Sequence, residues 1–470
     1  MSAEASFLAR YPSYGDPAAL DRLRAEQYAY LGDHVYLDYT GSGLAATAQL
    51  DAHVARLNGA CFGNPHSENP TSERSTRLVE SARHAVLRFL NASPDEYAVV
   101  FTPNATGACR LVGEGYPFGP DRELLLTYDN HNSVNGVREY ARARGARTRY
   151  VPLSSPTLRI DEGALTAALA EGGGGLFAFP GQSNFTGVRH PVEWIGAAHA
   201  RGYDVLLDAA AYLPTNRLDL AVVRPDFVAI SWYKVFGYPT GIGCLVARRE
   251  ALARLRRPWF AGGTIRAVSV HADWHEMMDD ETAFEDGTLN FLSIPDVEVG
   301  IDWVNGVGID AIGERTRCLT GWFLTELAAL SHANGQPLAR VYGPTDTVGR
   351  GATVAFNLFD PAGVIVDERL VAAESAAAGF SLRTGCFCNP GAGERGFGIT
   401  PTMLAGASDW GVRTIDGYLA KIGLPTGGAV RVSFGIVSTF ADVDRFLRFL
   451  AATYVDRTAT TVDLPPRLRC

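Results

Sequence analysis

Two residues in the stretch VLLDAAAYLPTNRLDLAVVRPDFVAISWYKVFGYPTGIGCLV are placed to do chemistry together: Asp208, an acid closing one apolar run, and Lys234, just past the next. In a doubly wound sheet the strand ends converge on one crevice, so both side chains can reach one ligand. A carboxylate there can pair with a protonated pyridine nitrogen, and an amine can condense with an aldehyde. Those are the two contacts a pyridoxal ring needs to work as an electron sink. Taken singly, Asp208 reads as a strand-end residue capping the next turn, and Lys234 as a solvated loop lysine. Trp232, Tyr233, Val235 and Phe236 flank the lysine, however. So apolar a setting disfavours the ammonium and lowers its pKa toward the nucleophilic form.

A second centre of reactivity lies in RTGCFCNPGAGE, where Cys386 and Cys388 stand on either side of Phe387. No second pair of cysteines or histidines nearby has zinc spacing, so no metal is expected. The remaining alternatives are a buried inert thiol and a thiolate on a loop; the turn formers Gly385, Asn389, Pro390 and Gly391 favour the loop. Arg431 sits inside the apolar run AVRVSFGIV, where a buried cation requires an anionic partner, whereas Arg383 also reads as a surface salt bridge. Thr106 reads as part of an ordinary helix N-terminus, and His131 as a satisfied loop histidine.

These residues must be positioned by regular elements, and the sequence supplies them. Strand-like AVVFT, LLLTYD, TRYVPL, LFAFP, VLLDAAA, DFVAISWY and GCLVARR alternate with helix-like stretches through about residue 250. That rhythm predicts an α/β fold, a mostly parallel sheet sandwiched by helices. Helical pattern returns over 296–334, followed by VAFNLFD, VRVSFG and the amphipathic VDRFLRFLAATYV, which predict a smaller C-terminal α/β domain. The expected division is an N-terminal segment 1–35 packing with the small domain, a large ligand-binding domain 36–295 and the small domain 296–470. Pro465 and Pro466 read as a loose tail.

The chain has 470 residues, 47% of them apolar, enough for a large core. Its formal net charge is -9 and its basic residues are scattered, which argues against nucleic acid or an anionic membrane as partner. No apolar run approaches the ~20 residues that span a bilayer, and the start lacks the apolar core of a signal peptide. Seven irregularly spaced cysteines do not form a disulfide framework. A cytoplasmic protein with reduced thiols is expected.

The segments YLDYTGSGL, GNPHSENPTSE, FTPNATGA, DNHNSVNGVRE, PGQSNFTGVRHP, FEDGTLNFLSIP, RTGCFCNPGAGE and VRVSFGIVST, in that order, cover most of the chain. Together they resemble the fold-type I pyridoxal-phosphate enzymes of aminotransferase class V, and among them the cysteine-desulfurase domain of molybdenum-cofactor sulfurases. The resemblance implies pyridoxal 5'-phosphate as cofactor, carried on Lys234, with Asp208 on its ring nitrogen and His131 over its face. Asn184 would meet the phenolic oxygen. Thr106, Gly107, Ser231 and Tyr233 would form the phosphate cup, a helix start favouring an anion there. Thr288 would reach the phosphate of the other protomer, which implies a homodimer. Arg383 and Arg431 match positions that grip the substrate carboxylate, for which a planar fork is well shaped. Cys388 falls where the persulfide cysteine stands, with Cys386 as the alternative.

The implied activity moves sulfur from L-cysteine to Cys388, releasing alanine, with His131 managing the thiol proton. The sequence departs from the pattern at Ala211, where many class V enzymes have Gln or His against the ring, and at Gly393, where the sulfurases have a further cysteine. Those sulfurases also continue into a second domain that binds the molybdenum cofactor. Because this sequence stops at Cys470, the expected sulfur acceptor is a separate protein or small molecule. The same scaffold supports C–S lysis or transamination of an amino-acid-like metabolite, with Cys388 a bystander, and fold alone does not decide between them.

Overall fold

In a computed structural model that describes residues 2–406, 411–459, 464, 466 and 467, the alternating runs of the first half form one seven-stranded sheet. Its order is Tyr97–Thr102, Gly243–Arg248, Phe227–Ser231, Tyr203–Asp208, Gly175–Pro180, Glu123–Thr127 and Thr148–Val151. Only Gly243–Arg248 runs against its neighbours. Strands Tyr97–Thr102, Phe227–Ser231, Gly175–Pro180 and Glu123–Thr127 are buried end to end, as a sheet covered on both faces requires. Alternate side chains divide between two cores. Leu125 and Phe177 face one way, with Val79 and Val86 of helix Pro70–Phe89, while Leu124, Leu126, Leu176 and Ala178 meet Ala108 and Val112 of helix Ala105–Gly115.

Six strands therefore point their C-terminal ends at one edge, and the loops that leave it carry the chemical residues. A second sheet, antiparallel, orders Ala339–Tyr342, Thr353–Leu358, Ala429–Ser433 and Arg383–Gly385. Its last pairing sets Arg383 directly opposite Arg431. Helices Ile309–Ala329 and Phe440–Tyr454 pack together beside it. The ring of Phe7, from helix Ala3–Arg10, lies 5.7 Å from Trp322 and 4.9 Å from Phe440. Helix Pro295–Val307 packs on Pro70–Phe89, against the large sheet's own layer.

The chain between the two sheets begins at strand Val35–Tyr36, which pairs in parallel with Phe380–Ser381, and continues along the small sheet by a bridge from Asp38 to Ser433. It then turns sharply: a Cβ on Gly41 would collide with the Asp38 carboxylate, so only glycine fits. Past the turn it lies on the helix Trp232–Phe236, where a Cβ on Gly237 (φ 80) would strike the backbone of Leu44 and Ala45. Of the expected loose tail, Pro465 lies outside the described residues. Arg467 is clasped rather than loose, pairing with Asp367 and Glu368 at 2.8 Å and Asp416 at 2.6 Å. Among the described residues no helix is long and apolar enough to cross a membrane.

The strand leading to Thr106 is held by a buried ion pair. Arg83 Nη1 and Nη2 donate to Glu285 at 2.9 and 3.2 Å, and Glu285 also accepts from the Phe101 amide at 2.7 Å. Removing one partner leaves the other charge buried and uncompensated. Arg83→Ala is expected to cost about 3–5 kcal/mol in urea unfolding; a loss below ~1 kcal/mol would show the pair to be dispensable.

Candidate functional site

Lys234 lies one turn into the short helix Trp232–Phe236, launched from the strand Phe227–Ser231. Trp232 and Phe236 stack 5.7 Å apart and are fully buried, which anchors the helix and leaves Lys234 facing a cavity of about 520 Å³. Its amine has no hydrogen-bond or ion-pair partner among the described residues. Burial pushes its pKa down, Arg431 and Arg383 push the same way, and Asp208 opposes them. The sequence expectation of an amine biased toward its neutral, nucleophilic form is met for that reason.

Asp208 closes its strand opposite Pro180 and Ala229 and is 7% exposed. Oδ1 accepts the Ala210 amide at 3.0 Å, so the capping role is real. No described residue donates to Oδ2, so the cap leaves that oxygen for a ligand.

His131 caps a short helix, Asn132–Asn135, and its Nδ1 accepts the Ser133 amide at 3.1 Å. A backbone N–H can only donate, so the neutral ring carries its proton on Nε2. Burial is the main cause lowering the His131 pKa, with Asp208 opposing. In this state His131 offers a donor at Nε2 rather than a base. Ser133 extends the contact, with its Oγ 2.9 Å from His131 Nδ1 and 2.7 Å from Thr106 Oγ1.

Thr106 opens the helix Ala105–Gly115 into the cavity, and Ser231 Oγ accepts the Ala105 amide at 2.9 Å. Gly107 does not line this cavity. Its amide is taken by the capping Asn104 Oδ1 at 2.9 Å, and the residue lines a neighbouring cavity instead. Thr288 lines that second cavity too, accepting from Asn64 Nδ2 at 3.3 Å. Pro103 and Gly241 border both spaces.

The cysteine loop is pinned over the opening. Phe387 (φ 55) and Cys388 (φ 53) are both left-handed, a conformation that costs a side-chain-bearing residue free energy and persists only where surroundings impose it. Here they do. The Phe387 carbonyl accepts Asn184 Nδ2 at 2.8 Å and the Cys388 carbonyl accepts the Asn132 amide at 2.7 Å. The Phe387 ring packs 5.2 Å from Phe185 and 4.7 Å below the Arg431 guanidinium. Asn389 donates to the Asp129 carbonyl at 2.7 Å and to Asn184 Oδ1 at 2.9 Å. Cys388 is exposed and lines the cavity; Cys386 is half-buried and does not.

Arg383 and Arg431 both line the cavity, joined by a residue the sequence reading left without a role. Asp38 accepts Arg383 Nε at 3.0 Å on one oxygen and Arg431 Nη2 at 2.8 Å on the other. Arg431 Nη1 also donates to the Asn184 carbonyl at 3.0 Å. The structure thus brings together Lys234, Asp208, His131, Asn184, Thr106, Ser231, Tyr233, Arg383, Arg431 and Cys388, and leaves Gly107 and Thr288 next door. Asp38, Ser133 and Asn389 were missed. Asp38 alone left a signal, an acid closing a short apolar run in YLDYTGSGL.

A lone amine biased toward neutrality, an acid with one oxygen to spare, hydroxyls at a helix start and two arginines suit a phosphorylated aromatic aldehyde and a carboxylate-bearing second ligand. Comparison with known proteins agrees in fold. Residues 35–446 match the family model Aminotransferase class-V. The molybdenum cofactor sulfurase of Solanum lycopersicum is 35% identical, the alignment covering 99% of this chain and 61% of that protein. That of Bos taurus is also 35% identical, over 92% of this chain and 52% of the relative. The chain therefore spans about half to three fifths of the length of these relatives. A cysteine desulfurase from Thermococcus onnurineus NA1 superposes with a TM-score of 0.76 at 23% identity, over 92% of this chain and 98% of its own, which shows the shared fold.

Thiol exposure gives a direct check of the loop. Cys61 and Cys388 are exposed, whereas Cys109 and Cys244 are buried with thiol pKa pushed up by desolvation. Brief iodoacetamide treatment of the native protein, read by peptide mass mapping, should alkylate Cys388 and Cys61 at least tenfold, roughly, before those two. Equal labelling of Cys109 and Cys388 would contradict the loop geometry.

Proposed function

The chain belongs to the aminotransferase class-V family, and on that ground we propose that it is a pyridoxal-phosphate enzyme that moves sulfur from L-cysteine to Cys388 and releases L-alanine. The observation that carries this reading is the amine of Lys234, without a hydrogen-bond or ion-pair partner among the described residues, in a cavity shared with Asp208 and the exposed Cys388. When bound, pyridoxal phosphate supplies an electron sink for bonds at the substrate's α-carbon.

The chain's own residues divide the remaining work. Lys234 holds the aldehyde and then carries the α-proton, which an amine biased toward neutrality can accept. Asp208 keeps the ring nitrogen protonated through Oδ2. Asn184, whose amide already donates once to Phe387, offers its second hydrogen to the phenolic oxygen. Thr106, Ser231 and Tyr233 receive the phosphate, with Ser133 extending the Thr106 side. Arg383 and Arg431 take the substrate carboxylate. Cys388, its proton passed to solvent at the exposed loop, attacks the substrate sulfur as a thiolate: the carbon–sulfur bond breaks, a sulfur–sulfur bond forms, the β-carbon takes up a proton, and Lys234 returns the α-proton to leave alanine. His131, with its proton on Nε2, donates to the developing charge rather than accepting the thiol proton.

The exposure of Cys388 suits delivery of the sulfur to a separate acceptor. We read the protein as a cytoplasmic homodimer. Leu50, Val54 and Leu57 form an exposed apolar stripe on helix Thr47–Gly59, with exposed Leu292 beside it where Arg56 meets its carbonyl, a face suited to a second copy. In that dimer Thr288 serves the partner's phosphate. Residues 36–295 then act as the cofactor-binding unit and 296–470 as the smaller one. The segment 1–35 lies against the latter, a placement that the Phe7 contacts support.

The test is to supply purified, cofactor-loaded protein with L-cysteine and search for alanine and for added sulfur on the Cys388 peptide by mass spectrometry. With a thiol reductant present to free the bound sulfur, Cys388→Ser is expected to abolish sulfide release while leaving the cofactor's visible absorption intact. Turnover unchanged by that substitution would remove Cys388 from the scheme, and pyruvate with ammonia in place of alanine would mark a lyase.

A further inference from the structure

Arg383 and Arg431 are direct cross-strand neighbours, and like charges in that register repel. Nothing in the small sheet itself relieves them. The relief comes from the far end of the chain, where Asp38 puts one carboxylate oxygen on each arginine, at 3.0 and 2.8 Å. The fit is built in. Asp38 is tied along the small sheet by its bridge to Ser433, and Gly41 is required beneath its carboxylate. Neither Nη group of Arg383 has a partner among the described residues, and its side chain is 51% exposed, against 3% for Arg431. Asp38 therefore holds Arg383 by Nε alone and leaves its terminal fork open to the cavity.

Two guanidinium ions against one carboxylate leave one net positive charge at the place where a substrate carboxylate would dock. We propose that Asp38 is a positioning residue that sets substrate class: by pairing with both arginines it fits the cavity to amino acids with one carboxylate and disfavours those with two. The inference rests on the reading of Arg383 and Arg431 as the carboxylate grip, though not on sulfur transfer. Losing the Asp38 charge would leave two uncompensated cations side by side, and a second anionic group on the ligand would then be welcomed rather than left unpaired.

The experiment uses the cofactor-loaded enzyme and two unreactive-sulfur-free ligands, L-alanine and L-aspartate, whose binding is followed by the change in cofactor absorption. Wild type is expected to favour L-alanine. In Asp38→Asn, which keeps shape and removes charge, the preference should shift toward L-aspartate by roughly fivefold or more, the scale of a partly exposed ion pair. Adding Arg383→Gln to Asp38→Asn restores a net charge of one and should restore the L-alanine preference. A merely structural role would weaken both ligands together and leave their ratio unchanged, which would overturn the proposal. If Asp38→Asn does not fold, Arg383→Gln alone, with no net charge, must widen the preference for L-alanine; a ratio unchanged or narrowed there overturns it as well. Wild type that binds neither amino acid would sink the carboxylate reading itself, and this inference with it. Binding of L-alanine without any release of sulfur from L-cysteine would sink only the sulfur reading.

Discussion

Three basic side chains, Lys234, Arg383 and Arg431, line one cavity with a single carboxylate, Asp208, while a second, Asp38, pairs with both arginines from beside it, and the rest of the site follows from that imbalance. Arg431 is almost wholly buried, so desolvation works against its charge, and Asp38 is its one carboxylate partner among the described residues. An arginine cannot give up its proton at ordinary pH, whereas a lysine can. The strain therefore falls on Lys234, whose amine is pushed toward neutrality by burial and by both arginines. A neutral amine next to fixed cations is the state a carbonyl-binding lysine needs. The same surplus of positive charge is complementary to a ligand bearing phosphate and carboxylate groups.

The fold enforces this crowding by bringing chain ends together that no local preference would unite. Lys234 and Asp208 arrive from adjacent parallel strands of the large sheet, the arginines from paired strands of the small one, and Asp38 from the N-terminal segment that crosses between them. The turn at Gly41 and the close approach at Gly237 let that segment pass over the Lys234 helix. A side chain at either glycine would force the segment, and with it the Asp38 carboxylate, away from the arginines.

Much of this was legible in the sequence, and what was not has a physical reason. Alternating apolar runs specify burial and period, so the strands of the large sheet and the two inner strands of the small one could be read, along with Asp208 at one strand end and Lys234 past another, whereas the short edge strands Ala339–Tyr342 and Arg383–Gly385 could not. Arg431 was readable as a cation in need of an anion, but not its partner, because Asp38 lies 393 positions away in the chain. Long-range pairing of this kind leaves no trace in spacing. Gly107 illustrates the opposite difficulty. A helix start presents several amides, and the capping Asn104 takes that of Gly107, so the motif located the cup without saying which donor remained free. The tautomer of His131 was equally hidden, since it is set by the Ser133 backbone rather than by any neighbour's side chain.

The choice between the two cysteines rests on the residue between them. The Phe387 ring is held between Phe185 and the Arg431 guanidinium, and its carbonyl is held by Asn184. With Phe387 fixed, the left-handed backbone at 387 and 388 turns the chain so that Cys388 lines the cavity while Cys386 does not. Arg431 thus serves two ends of one process. It contributes charge to the carboxylate site and, through the face of Phe387, steadies the backbone that presents the thiol. A change at Arg431 would disturb ligand binding and thiol presentation together, whereas Arg383, exposed and free of the aromatic contact, touches only the first.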